Sequence, residues 1–428
     1  MRGRHLAVAA GLLGVLCVPA HAEARDIGRD PLPANDGWAA EGAGTTGGAA
    51  ADADHVHTVT DRAGLVRALD GGSDTPKIIK IAGTIDANTD DDGDRLDCAD
   101  YTTGGYGLKK YLAAYDPRTW GSAKPSGPQE EARQASAARQ AERIVLPVGS
   151  NTTIVGLGDS AVLKGASLQV RNADNVIIRN LDVRDAYDCF PVWQPNSGGL
   201  GDWKTAYDNI WLTGATHVWV DHVTLSDKGH PDAKEPTHFA RNYLRHDGLL
   251  DITGGSDLVT VSWSRFVGHD KAMLIGNGDT ATGDRGKLRV TLHHNAFESV
   301  VQRAPRVRFG QVHVYNNRYD ITGDDHRYSL GVSTESRMFA ENNAFHAPGH
   351  VEVADLVKSW NGSALHQSGT LFNGFPVDLL AIYNAYNSGS ERDLTNDVGW
   401  TPTLHGRIDS TAAADRAVAR GAGAGRIR

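Results

Sequence analysis

From Asn151 onward the chain repeats itself at strand length. The hexapeptides NVIIRN (from Asn175), HVWVDH (from His217), LVTVSW (from Leu258), RVTLHH (from Arg289), QVHVYN (from Gln311) and RMFAEN (from Arg337) share one apolar alternation, each followed by a bend. Their offsets of 42, 41, 31, 22 and 26 residues fit one or two coils of about 22 residues plus loops. Alternation with period two is a strand signal. Strand-sized runs with so little helix between them argue against a doubly wound sheet, whose parallel strands alternate with helices. What remains is an all-β, single-domain solenoid, a parallel β-helix in which each coil rests on the next. The 49 glycines suit its tight corners. Polar residues recur at the sixth position, as Asn180, His222, His294, Asn316 and Asn342. They are expected to point inward and stack into a ladder that satisfies the turn backbones.

Outside the repeat, the first 22 residues have the pattern of a secretory signal. Arg2 and Arg4 precede an apolar stretch from Leu6 to Val18, and Ala20-His21-Ala22 forms a small-residue exit. The stretch is too short to span a bilayer, and Leu16 before Cys17 does not fit a lipoprotein signal, so a free secreted, extracellular protein with no membrane partner is expected. Cleavage after Ala22 is preferred, with Ala24 an alternative. A Gly/Ala-rich spacer (Ala39 to Ala51) reads as part of a loose leader over residues 23–54, followed by the β-helix domain from 55 to 428. Val59 to Leu69 has the spacing of a short amphipathic capping helix. Pro128 to Ile144, with its initial proline and first-turn acids, predicts one surface helix without chemistry.

Removing the signal takes Lys+Arg from 43 to 41 against 52 Asp+Glu, a mature net charge of −11. That balance speaks against nucleic acid as a partner. If the substrate is also anionic, a local basic cleft and a bridging cation must overcome the global field. With Cys17 removed, Cys98 and Cys189 remain, as a disulfide or as two buried thiols.

The stretch VQRAPRVRFG places Arg303, Arg306 and Arg308 around Pro305. Guanidinium is a fork-shaped donor matched to carboxylates, so three of them ask for an anion or for buried acids. Upstream, Asp247 and Asp251 sit in HDGLLD, and four residues along an extended strand return to one face. Two carboxylates held together want a hard cation with oxygen ligands. HDK, ending in Lys271, follows Asp251 by twenty residues. Acids, a lysine and then arginines point to one cleft that handles carboxylate sugars through a metal.

The segments NTTIVGLG, NVIIRNLDVRDAYDCFP, YDNI, VWVDH, DGLLDI, VTVSWSRFVGHDKAMLIG, TLHHN and VQRAPRVRFGQVHVYNN, in that order between Asn151 and Asn317, resemble the polysaccharide lyase family 1 pectate lyases. The resemblance extends back to about His55. It implies a right-handed parallel β-helix with short capping and surface helices, working as a monomer on polygalacturonate. It also implies cleavage of de-esterified chains by β-elimination with Ca2+. Asp208 (in YDNI), Asp247 and Asp251 match the metal ligands, Lys271 and Arg308 the groups that grip the substrate carboxylate and stabilise the enolate-like intermediate, and Arg303 the base. A guanidinium stays protonated at ordinary pH, so a base role implies a rate that climbs into the alkaline range. In the loop PVWQPNSGGLGDW, relatives carry acids near Gln194 and Ser197 that hold additional calcium ions. Here those positions are neutral, which leaves Asp202 as the nearby acid.

Other assignments compete with the tempting ones. His293 and His294 fall on the ladder register and read as structural before they read as metal ligands. Trp219, Trp263, Tyr315 and Phe339 read as core or stacking residues. Asp324 and Asp325 are expected in a solvated turn, although an inverting glycosidase would need such an acid pair about 6.5 to 9.5 Å apart. A pectin lyase acting on methyl esters needs no calcium and would be expected to replace the acids and line its cleft with aromatics. A non-catalytic wall-binding β-helix would have no need of Arg303 beside Lys271 and Arg308.

Overall fold

The computed structural model describes residues 26–387 and 392–427; the expected signal segment lies outside them. Three parallel sheets of ten, eight and ten strands wind as a right-handed β-helix, with an antiparallel pair closing the last sheet. The six aligned hexapeptides fall in consecutive strands of the first sheet, in one register. Val176, Val218, Val259, Val290, Val312 and Met338 stand opposite one another, all fully buried. Each coil therefore covers the apolar face of the last, which is how strands buried on one side and bonded on both edges pay their ordering cost. Phe266, Phe297, Tyr319 and Phe345 continue the stack in the other ten-stranded sheet, with ring centroids 4.7, 4.9 and 4.3 Å apart.

The inward ladder lies one residue later than the sequence leads one to expect. Asn180, His222, Trp263, His294, Asn316 and Asn342, the sixth residues, all have positive φ and form the bend itself. That left-handed conformation is one that asparagine and histidine tolerate better than most residues. A bend breaks the two-residue alternation, so the next residue points inward. Asn295, Asn317 and Asn343 are the buried rungs: Asn295 N donates to Asn317 Oδ1 at 2.9 Å, and Asn317 N to Asn343 Oδ1 at 3.0 Å. The sixth residues make an outer rail instead. Trp263 stacks between His222 and His294, at 5.8 and 4.5 Å. The expected stacking of Tyr315 and Phe339 is also present: Tyr315 lies on His293 and Phe339 on His366. Trp219 is buried against Leu32, Ala39 and Ile177.

Both chain ends run along the coils. Residues 26–55, where the composition suggests a loose leader, lie on the first sheet. Gly48 N bonds Thr153 Oγ1, Gly47 N bonds Asn175 Oδ1, Ala39 N bonds Thr260 Oγ1 and Trp38 N bonds Thr291 Oγ1. Small residues serve this close approach: a Cβ on Gly48 would stand 2.0 Å from the Lys77 carbonyl oxygen. At the other end, Asn316 and Asn342 both donate to the Asp409 carbonyl, helix Thr411–Gly421 follows, and Gly425 N reaches Asn180 Oδ1.

The capping helix spans Arg62–Leu69, starts on the Asp61 carboxylate and buries Leu65, Ala68 and Leu69. The second expected helix spans Pro128–Ile144. Its inner face anchors the loop that borders the cleft: Gln140 Oε1 accepts from Cys189 N, and Arg133 donates to the Phe190 carbonyl. Cys98 and Cys189 form a disulfide that ties the same loop to the flank.

Candidate active site

Successive coils bring the predicted residues together where the eight-stranded sheet meets the ten-stranded sheet that carries Phe266. Asp208 precedes strand Ile210–Thr213, and Asp251 lies in strand Leu250–Thr253 opposite Trp211. Lys271 ends strand Arg265–Lys271, and Arg303 follows strand Ala296–Gln302. Asp247 and Asp251 do not share a continuous strand. The amides of Leu249 and Leu250 both bond the Ala272 carbonyl, a bulge that swings Asp247 to the rim.

Gly248 marks the point where the acids meet. Its amide donates to Asp208 Oδ1 at 2.6 Å, and a Cβ there would stand 2.7 Å from Asp208 Oδ1 and 2.6 Å from Asp251 Oδ1. Only glycine lets two carboxylates close on the main chain in this way. Leu274 N donates to the same Asp251 oxygen at 2.9 Å.

The charges are unevenly satisfied. Burial, then the charges of Asp251 and Asp247, push Asp208 well above the usual carboxylate range. Burial and the Asp247 charge push Asp251 up to about 7. Desolvation opposes ionisation of Asp247 too, but Lys271, whose Nζ lies 2.8 Å from Asp247 Oδ1, and then Arg303 override it and hold this carboxyl low. Its side chain keeps 41 % of its surface exposed. Despite burial, Asp247 keeps Lys271 a cation. Among the described residues, no three His, Cys, Asp or Glu side chains stand in preformed metal-ligand geometry: Asp208 and Asp251 converge while Asp247 is engaged by Lys271. Two carboxylates whose ionised forms repel each other, with a third at the mouth, are nonetheless the donor set that a hard, oxygen-seeking cation relieves.

The three arginines go separate ways. Arg303 adopts a left-handed backbone, φ 61°, uncommon for a side chain of its size, and its Nε is buried without a hydrogen-bond partner. Arg306 donates to Ser333 Oγ and lies over the Trp360 ring at 4.1 Å. Arg308 donates from Nε to Asp279 Oδ1 at 2.7 Å and from Nη1 to the Gly276 carbonyl. Arg308 is thus paired with an acid that sequence spacing did not single out.

A cleft of about 610 Å3 opens beside these groups, with Asp227, His269, Asp270, Val301 and Arg327 on its wall. The opposite rim is the hairpin Val192–Gln194 and Asp202–Lys204, where Asp202 faces Gln194 and pairs with Lys204 at 2.9 Å. Asp325 also reaches the cleft, whereas the Asp324 side chain is fully exposed, as a solvated turn requires.

The pectate lyase family's sequence model matches residues 7–99 and 121–394. The pectate lyase of Bacillus subtilis (strain 168) is 45 % identical over 414 residues, 96 % of both chains. Pectate lyase E of Dickeya chrysanthemi is 36 % identical over 369 residues, 83 % of this chain and 80 % of its own. Among solved structures, a pectate lyase bound to a hexasaccharide superposes with TM-score 0.89 at 44 % identity, covering 94 % of this chain and all of the other. One described in terms of an anti β-elimination mechanism matches equally well. With its coils, acids and basic groups assembled in this manner, the chain belongs to the pectate lyase family and is a pectate lyase.

Proposed function

We propose that the chain is a secreted, monomeric, calcium-dependent enzyme that cleaves de-esterified polygalacturonate by β-elimination and releases 4,5-unsaturated oligogalacturonides. The observation that carries this is the convergence of the Asp208 and Asp251 carboxylates at Gly248, beside the Asp247–Lys271 pair and the unpartnered Arg303 Nε. Asp208, Asp247 and Asp251 would hold the calcium, which when bound neutralises the uronate carboxylate and so acidifies the neighbouring C5 proton.

The chain's own groups then divide the work. Arg303 takes the C5 proton, its Nε free of any competing acceptor in the chain. Lys271 stabilises the negative charge that spreads from C5 onto the carboxylate. Arg308 grips a uronate carboxylate, and its hold on Asp279 fixes the direction of the fork. The bond from C4 to its oxygen breaks as the C4–C5 double bond forms, and the departing oxygen takes a proton from solvent. The relatives' hexasaccharide complex and anti β-elimination description support the same substrate class and reaction. A methyl-ester substrate is disfavoured because a neutral ester is a poorer ligand for a hard cation than a carboxylate and gives the basic groups no anion to grip.

Polygalacturonate turnover followed at the unsaturated-uronide absorbance, with and without chelator, tests this. Absorbance should rise only with calcium, while the β-rich circular dichroism stays the same in both. Chelator-resistant turnover would overturn the calcium assignment, and reducing ends without absorbance would make the enzyme a hydrolase.

A further inference from the structure

The histidines of HDG and HDK have no task in the chemistry above, yet both are almost completely buried, His246 at 2 % and His269 at 3 % exposure. His269 Nδ1 lies 2.6 Å from Asp227 Oδ2, and its Nε2 lies 2.8 Å from the Asp247 main-chain oxygen. Carboxylates and carbonyls only accept, so both ring nitrogens of His269 donate. One residue before Asp247, His246 Nδ1 lies 2.8 Å from Asp232 Oδ1 and Nε2 3.3 Å from Asp185 Oδ1, and its main-chain N donates to Asp232 Oδ2. Asp185 is held in turn by His230 at 2.9 Å.

Asp247 needs such anchoring. It lies before its strand, on the bulge, where the sheet ladder does not fix it beyond one bond from its N to the Tyr207 carbonyl at 3.2 Å. His269 grips the carbonyl of Asp247, and His246 grips the residue before it. We propose that Asp227 and His269, seconded by Asp185, His246 and Asp232, form a positioning network that sets the Asp247 carboxylate against Lys271 and toward the meeting point of Asp208 and Asp251. The network rests on Asp247 being a metal ligand and pairing partner; its members are positioning residues that act through Asp247. Groups that orient a ligand in this way are worth about 10- to 100-fold in metal affinity or activity.

The test is a double-mutant cycle of His269→Gln with Asp247→Ala, read by calcium titration calorimetry and by kcat and KM on polygalacturonate at saturating calcium. A glutamine amide serves one of the two acceptors and drops the other. In the wild-type background His269→Gln should weaken calcium binding and lower kcat, each by about tenfold, with KM within about twofold. In the Asp247→Ala background it should add less than about twofold, since its only route is through Asp247. Equal losses in both backgrounds, or wild-type calcium affinity in His269→Gln, overturn the proposal. Asp227→Asn keeps the side-chain volume and must give the same kcat-over-KM split, which covers the case that His269→Gln does not fold. Wild-type protein that binds no calcium would sink the ligand assignment alone, and the kcat cycle would still judge the network through the Asp247–Lys271 pair.

Discussion

At the corner between the two ten-stranded sheets, Asn317 uses every polar atom it has: its Oδ1 accepts from Asn295, its amide donates to Leu292 and Asn343, and its main-chain N reaches the next rung. At the rim of the eight-stranded sheet, Asp208 and Asp251 face each other without a cation of the chain between them, and Arg303 Nε has no acceptor. The same coils build both regions. Where successive coils repeat, each polar group finds its copy one layer away and the need is met inside the chain. Where long loops interrupt the repeat, groups of four different coils are gathered with their needs unmet, and what meets them must come from solution.

The comparison predicts that substitutions at the rim change rates and those at the corner change stability. The largest effect is expected for Arg303→Lys, which keeps a cation but shortens its reach: kcat on polygalacturonate should fall at least about a thousandfold, roughly 4 kcal/mol of transition-state stabilisation, with Tm unchanged. Turnover within about tenfold of wild type would make Arg303 a binding residue and Lys271 the next candidate base. Next comes Asp251→Ala, with a rate loss of about a hundredfold or more at micromolar calcium that excess calcium partly restores. In chelator this variant should be no less stable than wild type. Asp251 titrates near 7 when folded and near 4 when unfolded. The folded state therefore binds the extra proton between those values, and the chelated wild type gains stability as pH falls from about 7 while the variant does not. A thermal scan across that range, with chelator, checks the sign.

Asn317→Leu should do the reverse. Leaving the Asn295 amide and the Leu292 carbonyl buried and unpaired should cost about 3 kcal/mol, seen as a lower denaturation midpoint with kcat intact. A rate loss at equal folded fraction would break the separation of the two regions. The smallest effect is expected at the outer rail. Burial, with His293 adding to it, pushes His294 down to about 4, below its unfolded value near 6.5. The unfolded chain then binds more protons in that window, so this residue's contribution to stability is lost as pH falls from about 6.5 to 4. His294→Asn, the residue found at the same bend in Asn316 and Asn342, should raise Tm by about 2 °C at pH 5 and leave it unchanged at pH 8.

Much of this was legible in the sequence, for physical reasons that also mark where legibility stops. Apolar alternation is imposed by the pleat itself, so the strands and their stacking could be read residue by residue. Which residue of a corner points inward depends on a backbone flip that alternation does not encode, and the ladder was therefore placed on Asn316 rather than Asn317. The acids and bases of the site were found through motifs. Their geometry was not, since the bulge at Leu249 and Leu250 and the partnership of Arg308 with Asp279 arise between coils distant in sequence. The glycines and alanines of residues 39–51 look like a flexible tether in composition alone. Small side chains are also what a segment needs to lie flush against a sheet, and contact decides between the two.

That flush segment alters how the molecule can come apart. A stack of coils in which each layer touches only its neighbours can peel from either end, one layer at a time. Residues 38–48 are bonded across strands that run from Thr153 to Thr291, and the carboxy-terminal arm returns along the outer rail from Asp409 to the bend at Asn180. No middle layer can leave without first stripping a lace that also holds layers far from it. Two laces on two flanks turn a zipper into a bale, whose interior layers exchange their amide hydrogens together rather than in sequence.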